Sequence, residues 1–391
     1  MDRLKLHALW NSLASNVASP FVAFNVAFAG ASDLLVGYVV AVGTLASAVS
    51  QLIGGLVADK SGRRARMAVF FSLVTGLLWI AGAIDPSPTF LAFSFTAIWL
   101  TVGLYLAGWT SLIGEASEKT QRGAFLSRFA RLQTVGALGA LVLTVIVRLF
   151  YPTDSVLYLL SGAFFLVSAA VLQGQKDQRV ERLKLSESGT ANLKRFYAVT
   201  GIYGLSWGFA WPLFIITTVK VVKMTPLEYS VSQVIAALST ILFQPLIGRL
   251  VDRQRKKAVF WGRMGLVVYP IAYMLFSAPW QIYVVNAFSG ITNALLNVAF
   301  IAYLYDISPA GQRGKYNAQF NLITGVSVVT GSLTAAYTLS VISTPATLWL
   351  SLAYLYAIAA VGRGLAALLH LKLPSGMSSV EQVVATARRT N

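Results

Sequence analysis

Long apolar runs alternate with short polar turns along almost the whole chain. Each run is long enough for a helix that crosses the hydrocarbon core of a bilayer, which takes about 20 residues. The turns contain proline, as at residues 85–88 and 225–226, where helices are expected to break. The pattern predicts an all-α membrane protein with twelve spans, at about residues 6–29, 34–58, 67–84, 90–115, 125–150, 155–174, 196–222, 228–250, 259–277, 281–306, 316–339 and 346–370.

A polar stretch in the middle of the chain divides these spans into two sets of six. It is charged from Gln175 to Glu187, which predicts a cytoplasmic linker. Beyond the last span, Ser378 and Glu381 have the spacing of a capping box and precede a one-sided apolar pattern, so we expect a short amphipathic helix there. The predicted domains are an N-terminal bundle at 1–174, the linker at 175–195, a C-terminal bundle at 196–370 and a tail at 371–391.

A charged turn after the second run recurs half a chain later. The first copy reads GLVADKSGRR at 55–64 and the second GRLVDRQRKK at 248–257, so that Asp59 matches Asp252. Likewise Glu115, followed by Gln-Arg-Gly at 121–123, matches Asp306, followed by Gln-Arg-Gly at 312–314. Two pairs at nearly one offset indicate an internal duplication.

The turn at 55–64 resembles the signature loop of the major facilitator superfamily of secondary transporters, G-x-x-x-D-(R/K)-x-G-R-(R/K). It matches each specified position, whereas the second copy has Arg255 where the first has Gly62. The resemblance extends over residues 5–370. It implies two pseudo-symmetric six-helix bundles that rock around a central cavity lined by spans one, four, seven and ten.

The same resemblance implies a cytoplasmic gate between the bundles. Asp59 would cap the helix that begins near Tyr316, and by pseudo-symmetry Asp252 would cap the one near Phe125. Arg63 or Arg64 would pair with Glu115, and Arg263 with Asp306. The alternative is that these charges only set topology and solubility. Gly62 would supply the backbone freedom of a tight turn, and Gly55 a close helix approach. The predicted gate comprises Gly55, Asp59, Gly62, Arg63, Arg64, Glu115, Asp252, Arg263 and Asp306.

Composition and charge agree with a membrane protein. The chain is 56% hydrophobic and 12% charged, with a mean hydropathy of +0.67. Its net charge of +17 is concentrated in alternate loops, which by the positive-inside rule predicts a multi-pass protein of the cytoplasmic membrane with both termini inside. Nucleic acid is therefore not expected as a partner. His7 and His370, at the ends of the first and last spans, are expected to be solvated at the interface.

Amide and aromatic side chains on spans one, four, seven and ten are candidates for the wall of the cavity. The tenth span has asparagines at helical spacing, and the seventh has three aromatic residues four positions apart. Such residues also serve as interhelical contacts or interfacial anchors. The candidate substrate contacts are Asn16, Trp99, Tyr105, Tyr203, Trp207, Trp211, Asn286, Asn293 and Asn297.

Arginines on the fifth span are a second kind of candidate. The sixteen residues between Arg131 and Arg148 span only about 24 Å, less than the hydrocarbon core of about 30 Å. Arg128 and Arg131 could attract an anion, although pairing with Glu115 or snorkelling to lipid phosphate is the favoured interpretation. No acidic residue lies near the middle of a predicted span, so the sequence shows no carrier for a coupling proton.

These observations predict a secondary transporter for a small organic solute, either an amphipathic drug-like compound or a sugar or metabolite, with uptake and export both open. A lipid or lysolipid flippase of the same fold is the alternative. An enzyme is not expected, because the chain lacks cysteine and has two histidines far apart. We expect a monomer in the bilayer that uses no cofactor or metal. A proton or sodium gradient is the candidate energy source, with uniport as the open alternative.

Overall fold

The regular structure in the described part of the chain is helical. A computed structural model describes residues 2–116, 122–151, 153–175, 191–307 and 313–373. A 3-10 turn follows α1 at Ser19–Phe21, and a π-helical turn follows α8 at Thr217–Val221. The helices are α1 (Asp2–Val17), α2 (Val22–Phe28), α3 (Asp33–Ser61), α4 (Arg64–Ile84), α5 (Pro88–Ala116), α6 (Arg122–Phe150), α7 (Ser155–Leu172), α8 (Ala191–Ile216), α9 (Pro226–Gly265), α10 (Val268–Tyr273), α11 (Pro279–Ile307), α12 (Arg313–Ile342) and α13 (Leu348–His370).

Nine candidate spans in the described ranges are long and apolar enough to cross a membrane, so the chain is a multi-pass helical membrane protein. The predicted second, fourth and fifth spans end within three residues of α3, α5 and α6. The seventh begins earlier than predicted, since α8 starts at Ala191. The rest of the predicted linker and the predicted amphipathic helix of the tail lie outside the described residues.

The first predicted span is bent. It consists of α1 and α2, with the 3-10 turn between them. Pro20 lies in that turn, and its ring removes a backbone N–H that a continuous helix would need. Asn16, one residue from the end of α1, lies directly before this break.

The long helix α9 covers the predicted eighth span and the start of the ninth. If it were straight, Ser239 and Gly265 would be about 39 Å apart. However, Ser239 donates a hydrogen bond to the carbonyl of Ala287 on α11, and Gly265 lies against Thr292 on the same helix. Ala287 and Thr292 are only about 7.5 Å apart along α11. The chain therefore reverses direction between Ser239 and Gly265, the interval that contains the predicted turn.

Helices pack first with partners from their own half of the chain. In the first half α4 packs on α5 and α7, and α1 on α6 and α7; in the second half α8 packs on α12 and α13, and α9 on α11. Contacts between the halves run mainly through α3 with α12 and α6 with α9. At Gly37 an added Cβ would lie 2.5 Å from that of Ala336, so the absent side chain is what lets α3 and α12 approach closely.

Candidate functional site

A large cavity lies between the two halves. Its volume is about 990 Å³, at the upper end of the range for small-molecule sites. The first half contributes residues from α1, α2, α3 and α5, and the second half residues from each of the helices α8 to α13. The lining is a mixture of aromatic rings, amides and hydroxyls.

Five of the predicted contacts line this cavity: Asn16, Trp99, Trp207, Trp211 and Asn286. The Asn16 amide donates to the carbonyl of Ser12 at 2.8 Å, which leaves its own oxygen available as an acceptor. The Trp99 ring lies over Gly43, where an added Cβ would be 2.6 Å from the indole nitrogen. Trp207 and Trp211 meet edge to face with centroids 4.6 Å apart. Their contact with a substrate stays a prediction.

Tyr203 was expected beside these tryptophans, but it does not line the cavity. Residues four positions apart on a helix are rotated by about 40°, so Tyr203 is about 80° from Trp211 around α8. Tyr203 is buried, and its ring centroid lies 3.7 Å from Cζ of the predicted gate residue Arg263, which is also buried. The His370 ring approaches Tyr203 edge-on from α13.

Tyr105 also lies away from the cavity, inside the first half. Its hydroxyl is 2.9 Å from Nε2 of His7, and the other ring nitrogen of His7 is 2.8 Å from the carbonyl of Ser168. The Trp109 ring packs on His7 at 4.5 Å. The expectation that both histidines are solvated is therefore wrong, since His7 is 0% exposed and His370 2%. The burial of His7 is tolerated because Tyr105 and Ser168 provide hydrogen-bond partners for both ring nitrogens.

The signature turn has the predicted backbone at one glycine and not at the other. Gly62 ends α3 in the left-handed conformation, with φ of +64°, and donates to the carbonyl of Ala58 at 3.0 Å. Gly55 has open space around it, whereas an added Cβ at Gly54 would lie 2.9 Å from that of Ala107. The close approach of α3 to α5 thus occurs one residue before the predicted position.

The remaining gate and arginine predictions stay predictions. Arg63 is exposed and precedes α4, and Arg64 is half-buried at its start. Arg131 is exposed on α6 and is not part of the cavity wall. Seven predicted site residues have side chains outside the described set: Asp59, Glu115, Arg128, Asp252, Asn293, Asn297 and Asp306.

Arg363 lies on α13 and lines the cavity, and it was not predicted from the sequence. The residue is only 1% exposed. Its NH1 donates to the carbonyl of Leu266 at 2.9 Å and its NH2 to that of Trp207 at 3.0 Å. Pro270 lacks the N–H that would otherwise satisfy the Leu266 carbonyl in a helix, so Arg363 replaces that donor. An arginine seven residues inside a predicted span was a signal for a functional position.

An arginine with a buried side chain joins the halves at the predicted outer end. This end of the bundle carries the turns after α2, α4, α6, the π-helical turn, α10 and α12. Arg148 on α6 bonds Asp154 and Asn25 of the first half at 2.7 and 2.8 Å. Its other terminal nitrogen donates to the Pro226 carbonyl and the Ser230 hydroxyl of α9, each at 2.7 Å. We call these residues the Arg148 cluster.

Two further contacts close the predicted outer end. Phe24 stacks on Tyr229 with centroids 4.3 Å apart, which joins α2 to α9. Lys220, in the π-helical turn, forms an ion pair with Asp33 at the start of α3, with 2.6 Å between Nζ and the carboxylate oxygen. The cavity is therefore separated from the predicted outer side by polar and aromatic contacts between the halves.

The cavity between two groups of helices and the fold around it define a membrane transporter, and comparisons identify its family. The family model of the Major Facilitator Superfamily matches residues 8–199 and again 196–385. The chain belongs to this superfamily. No curated protein sequence matches the chain.

Solved structures with the same fold include transporters of different solutes. The nucleoside transporter NupG is 11% identical with a TM-score of 0.74, covering 95% of this chain and 99% of its own. A D-xylose–proton symporter is 16% identical with a TM-score of 0.71, covering 96% and 97%. A bacterial homologue of the human lysosomal transporter Spinster, inward-facing and occupied, is 12% identical with a TM-score of 0.71, covering 96% of both chains. At such low identity the likeness concerns the fold alone.

Proposed function

We propose that the protein moves a small organic solute across the cytoplasmic membrane by alternating access, in which the two halves rock around the central cavity. The observation that carries the proposal is the cavity of about 990 Å³ with walls from both halves. A site built from two bodies changes its access when one body moves against the other. The contacts at the predicted outer end would keep the cavity closed on that side.

The same contacts suggest which parts move. In the Arg148 cluster, the side chains of Asp154 and Asn25 accept hydrogen bonds from Arg148 within the first half. The Ser230 hydroxyl and the Pro226 carbonyl accept hydrogen bonds from it on the second half. Opening the outer end would separate Arg148 from the second pair and keep the first. We further propose a proton or sodium gradient as the driving force and a topology with both termini in the cytoplasm.

The proposal can be tested without knowing the solute. Because the chain contains no cysteine, a pair of cysteines can be introduced and labelled without first removing native ones. Spin labels on Ser87→Cys and Ser277→Cys report on the predicted outer end, and labels on Gln173→Cys and Lys372→Cys on the opposite end. All four positions are exposed. Double electron–electron resonance in lipid nanodiscs is expected to show two populations at each end.

The two distances should change in opposite directions, so that conditions which widen one end narrow the other. Acidic pH and added sodium are the first conditions to compare, since either ion that drives transport should shift the populations. A single unchanged distance at both ends under every condition would contradict alternating access.

A further inference from the structure

The described wall of the cavity contains a positive charge and, among its described residues, no carboxylate that balances it. Among the described residues of its wall, Arg363 is the charged one. The described ion pairs of Asp33 and Asp154 lie at the predicted outer end, with Lys220 and Arg148 as their partners. The described wall of the cavity therefore carries a net positive charge.

Backbone carbonyls hold Arg363 without neutralising it. The guanidinium has five N–H donors, and the bonds to Leu266 and Trp207 use two of them, with a longer contact of 3.5 Å from Nε to the Ser206 carbonyl. A carbonyl contributes a dipole and no net charge. The arginine is thus fixed in position, and its charge is available to a ligand that enters the cavity.

Aromatic rings lie next to this charge. The carbonyl of Trp207 bonds Arg363, and the indole of the same residue lines the cavity together with Trp211. The Phe214 ring also lines it, with its centroid 5.3 Å from Cζ of Arg363. A fixed cation beside a wall of aromatic rings is complementary to a molecule with a negative group attached to a flat apolar body.

We propose that the solute is a small aromatic oxyanion, whose carboxylate or phosphate is attracted to Arg363 while its ring packs against Trp207 and Trp211. This proposal rests on the proposed transport function, because it assigns a class of solute to the same cavity. It assigns the anion contact to Arg363, whereas Arg128 and Arg131 stay predicted as possible anion contacts.

The first experiment uses the unmodified protein and three probes of equal size. Naphthoate, naphthamide and naphthylmethylamine share a ring system and differ in charge. A ligand that binds the folded state raises the melting temperature, and we expect naphthoate to do so at concentrations at least about tenfold lower than the other two. Equal effects of the three probes, or a stronger effect of the amine, would overturn the proposal.

An anionic lysolipid and naphthyl phosphate separate the sources of the negative group. Stabilisation by naphthyl phosphate as well as naphthoate is expected for a site that recognises an oxyanion on a ring. Stabilisation by lysophosphatidate without any effect of the two naphthyl anions would contradict a small aromatic solute and favour a lipid.

A cavity variant tests the charge without disturbing the contacts of Arg363. Asn286→Asp is nearly isosteric and adds a carboxylate to the same wall. We expect it to weaken naphthoate binding at least about tenfold more than naphthamide binding. Gln281→Glu is the matched control, because it makes the same change at the predicted outer end, where the side-chain oxygen accepts bonds from the amides of Ser277 and Ala278. Unchanged naphthoate binding in Asn286→Asp would overturn the proposal.

Arg363→Gln and Arg363→Lys complete the series. If both fold, lysine should retain part of the preference for naphthoate and glutamine should lose it. The outcomes are distinguishable from those of the transport test. Opposed movements of the two ends without naphthoate binding would refute the anion alone, whereas binding without such movement would refute alternating access.

Discussion

Two buried arginines in this protein have opposite electrostatic surroundings. The Arg148 side chain is 4% exposed and lies 2.7 Å from the carboxylate of Asp154. Arg363 is 1% exposed and bonds only backbone carbonyls among the described residues. Both have lost most of their hydration, yet among the described residues only the first has a counter-ion.

The comparison shows that burial alone does not mark a binding site. The carboxylate of Asp154 neutralises the charge of Arg148. The remaining donors of Arg148 bond α9 and so join it to α6. A buried arginine held by dipoles keeps its attraction for anions, and it lies where a solute would enter. The partner of the charge, rather than its depth, separates a structural contact from a candidate recognition group.

The largest expected effect comes from breaking the Arg148–Asp154 ion pair. Arg148→Met removes four hydrogen bonds and leaves Asp154 without its partner. We expect a cost of about 3 kcal/mol, the low end for a buried pair, because the Asp154 side chain is 26% exposed. Because two of these bonds cross between the halves, much of the loss should fall on the state with a closed outer end. The labels at Ser87→Cys and Ser277→Cys should report a large gain in the wider distance.

Arg66→Met is the matched control for this change, since Arg66 is exposed near the opposite end of the bundle. It should leave the outer distance as in the parent. An outer distance in Arg148→Met that equals that of the control would show that the Arg148 cluster does not hold the two halves together.

A smaller effect is expected from the structural bonds of Arg363. Arg363→Gln should lower the free energy of unfolding by about 1–2 kcal/mol, because the Leu266 carbonyl loses its donor. Pro270→Ala restores an N–H that can satisfy the same carbonyl within the helix. In that background Arg363→Gln should cost about 1 kcal/mol less.

A double-mutant cycle of denaturation midpoints measures this coupling. Equal costs of Arg363→Gln with and without Pro270 would mean that the bond to Leu266 contributes little. The cycle also separates the two roles of Arg363, since Pro270→Ala alone should leave the preference for naphthoate intact.

The positions of most helix ends could be predicted from the sequence, and so could the turn at Gly62. Both depend on neighbours in the chain: an apolar run sets the length of a span, and a left-handed turn requires glycine. The bend at Pro20 was not predicted, although proline made it a reasonable place for one. Local chemistry therefore accounts for the succession of helices.

Contacts between distant residues could be predicted only in part. Trp207, Trp211 and Asn286 line the cavity, but Tyr203 and Tyr105 do not, because a small rotation around a helix moves a side chain to a different neighbour. His7 was placed in solvent since its partners are more than 90 positions away. Periodicity gives the face of a helix only approximately.

Arg363 was missed for a related reason. Its role depends on three features that the sequence brings together only in the fold: the missing N–H of Pro270, the carbonyl of Trp207 and the absence of a lining carboxylate in the described wall. None of these is a neighbour of Arg363 in the chain. A charge inside an apolar run is visible in the sequence, but its partner is not.

The smallest expected effect comes from the second ion pair between the halves. Lys220 and Asp33 are 2.6 Å apart, closer than Arg148 and Asp154, but the lysine side chain is 34% exposed and the aspartate 11%. Water and salt screen such a pair, so Lys220→Met should change stability by only about 0.5 kcal/mol and the outer distance slightly. Added salt should reduce even this difference. The effect of Arg148→Met should persist because the cation of that pair is only 4% exposed, although Asp154 is 26% exposed. A shift as large as that of Arg148→Met would show that exposure is the wrong criterion, and that the number of contacts across the halves matters more than the surroundings of the charge.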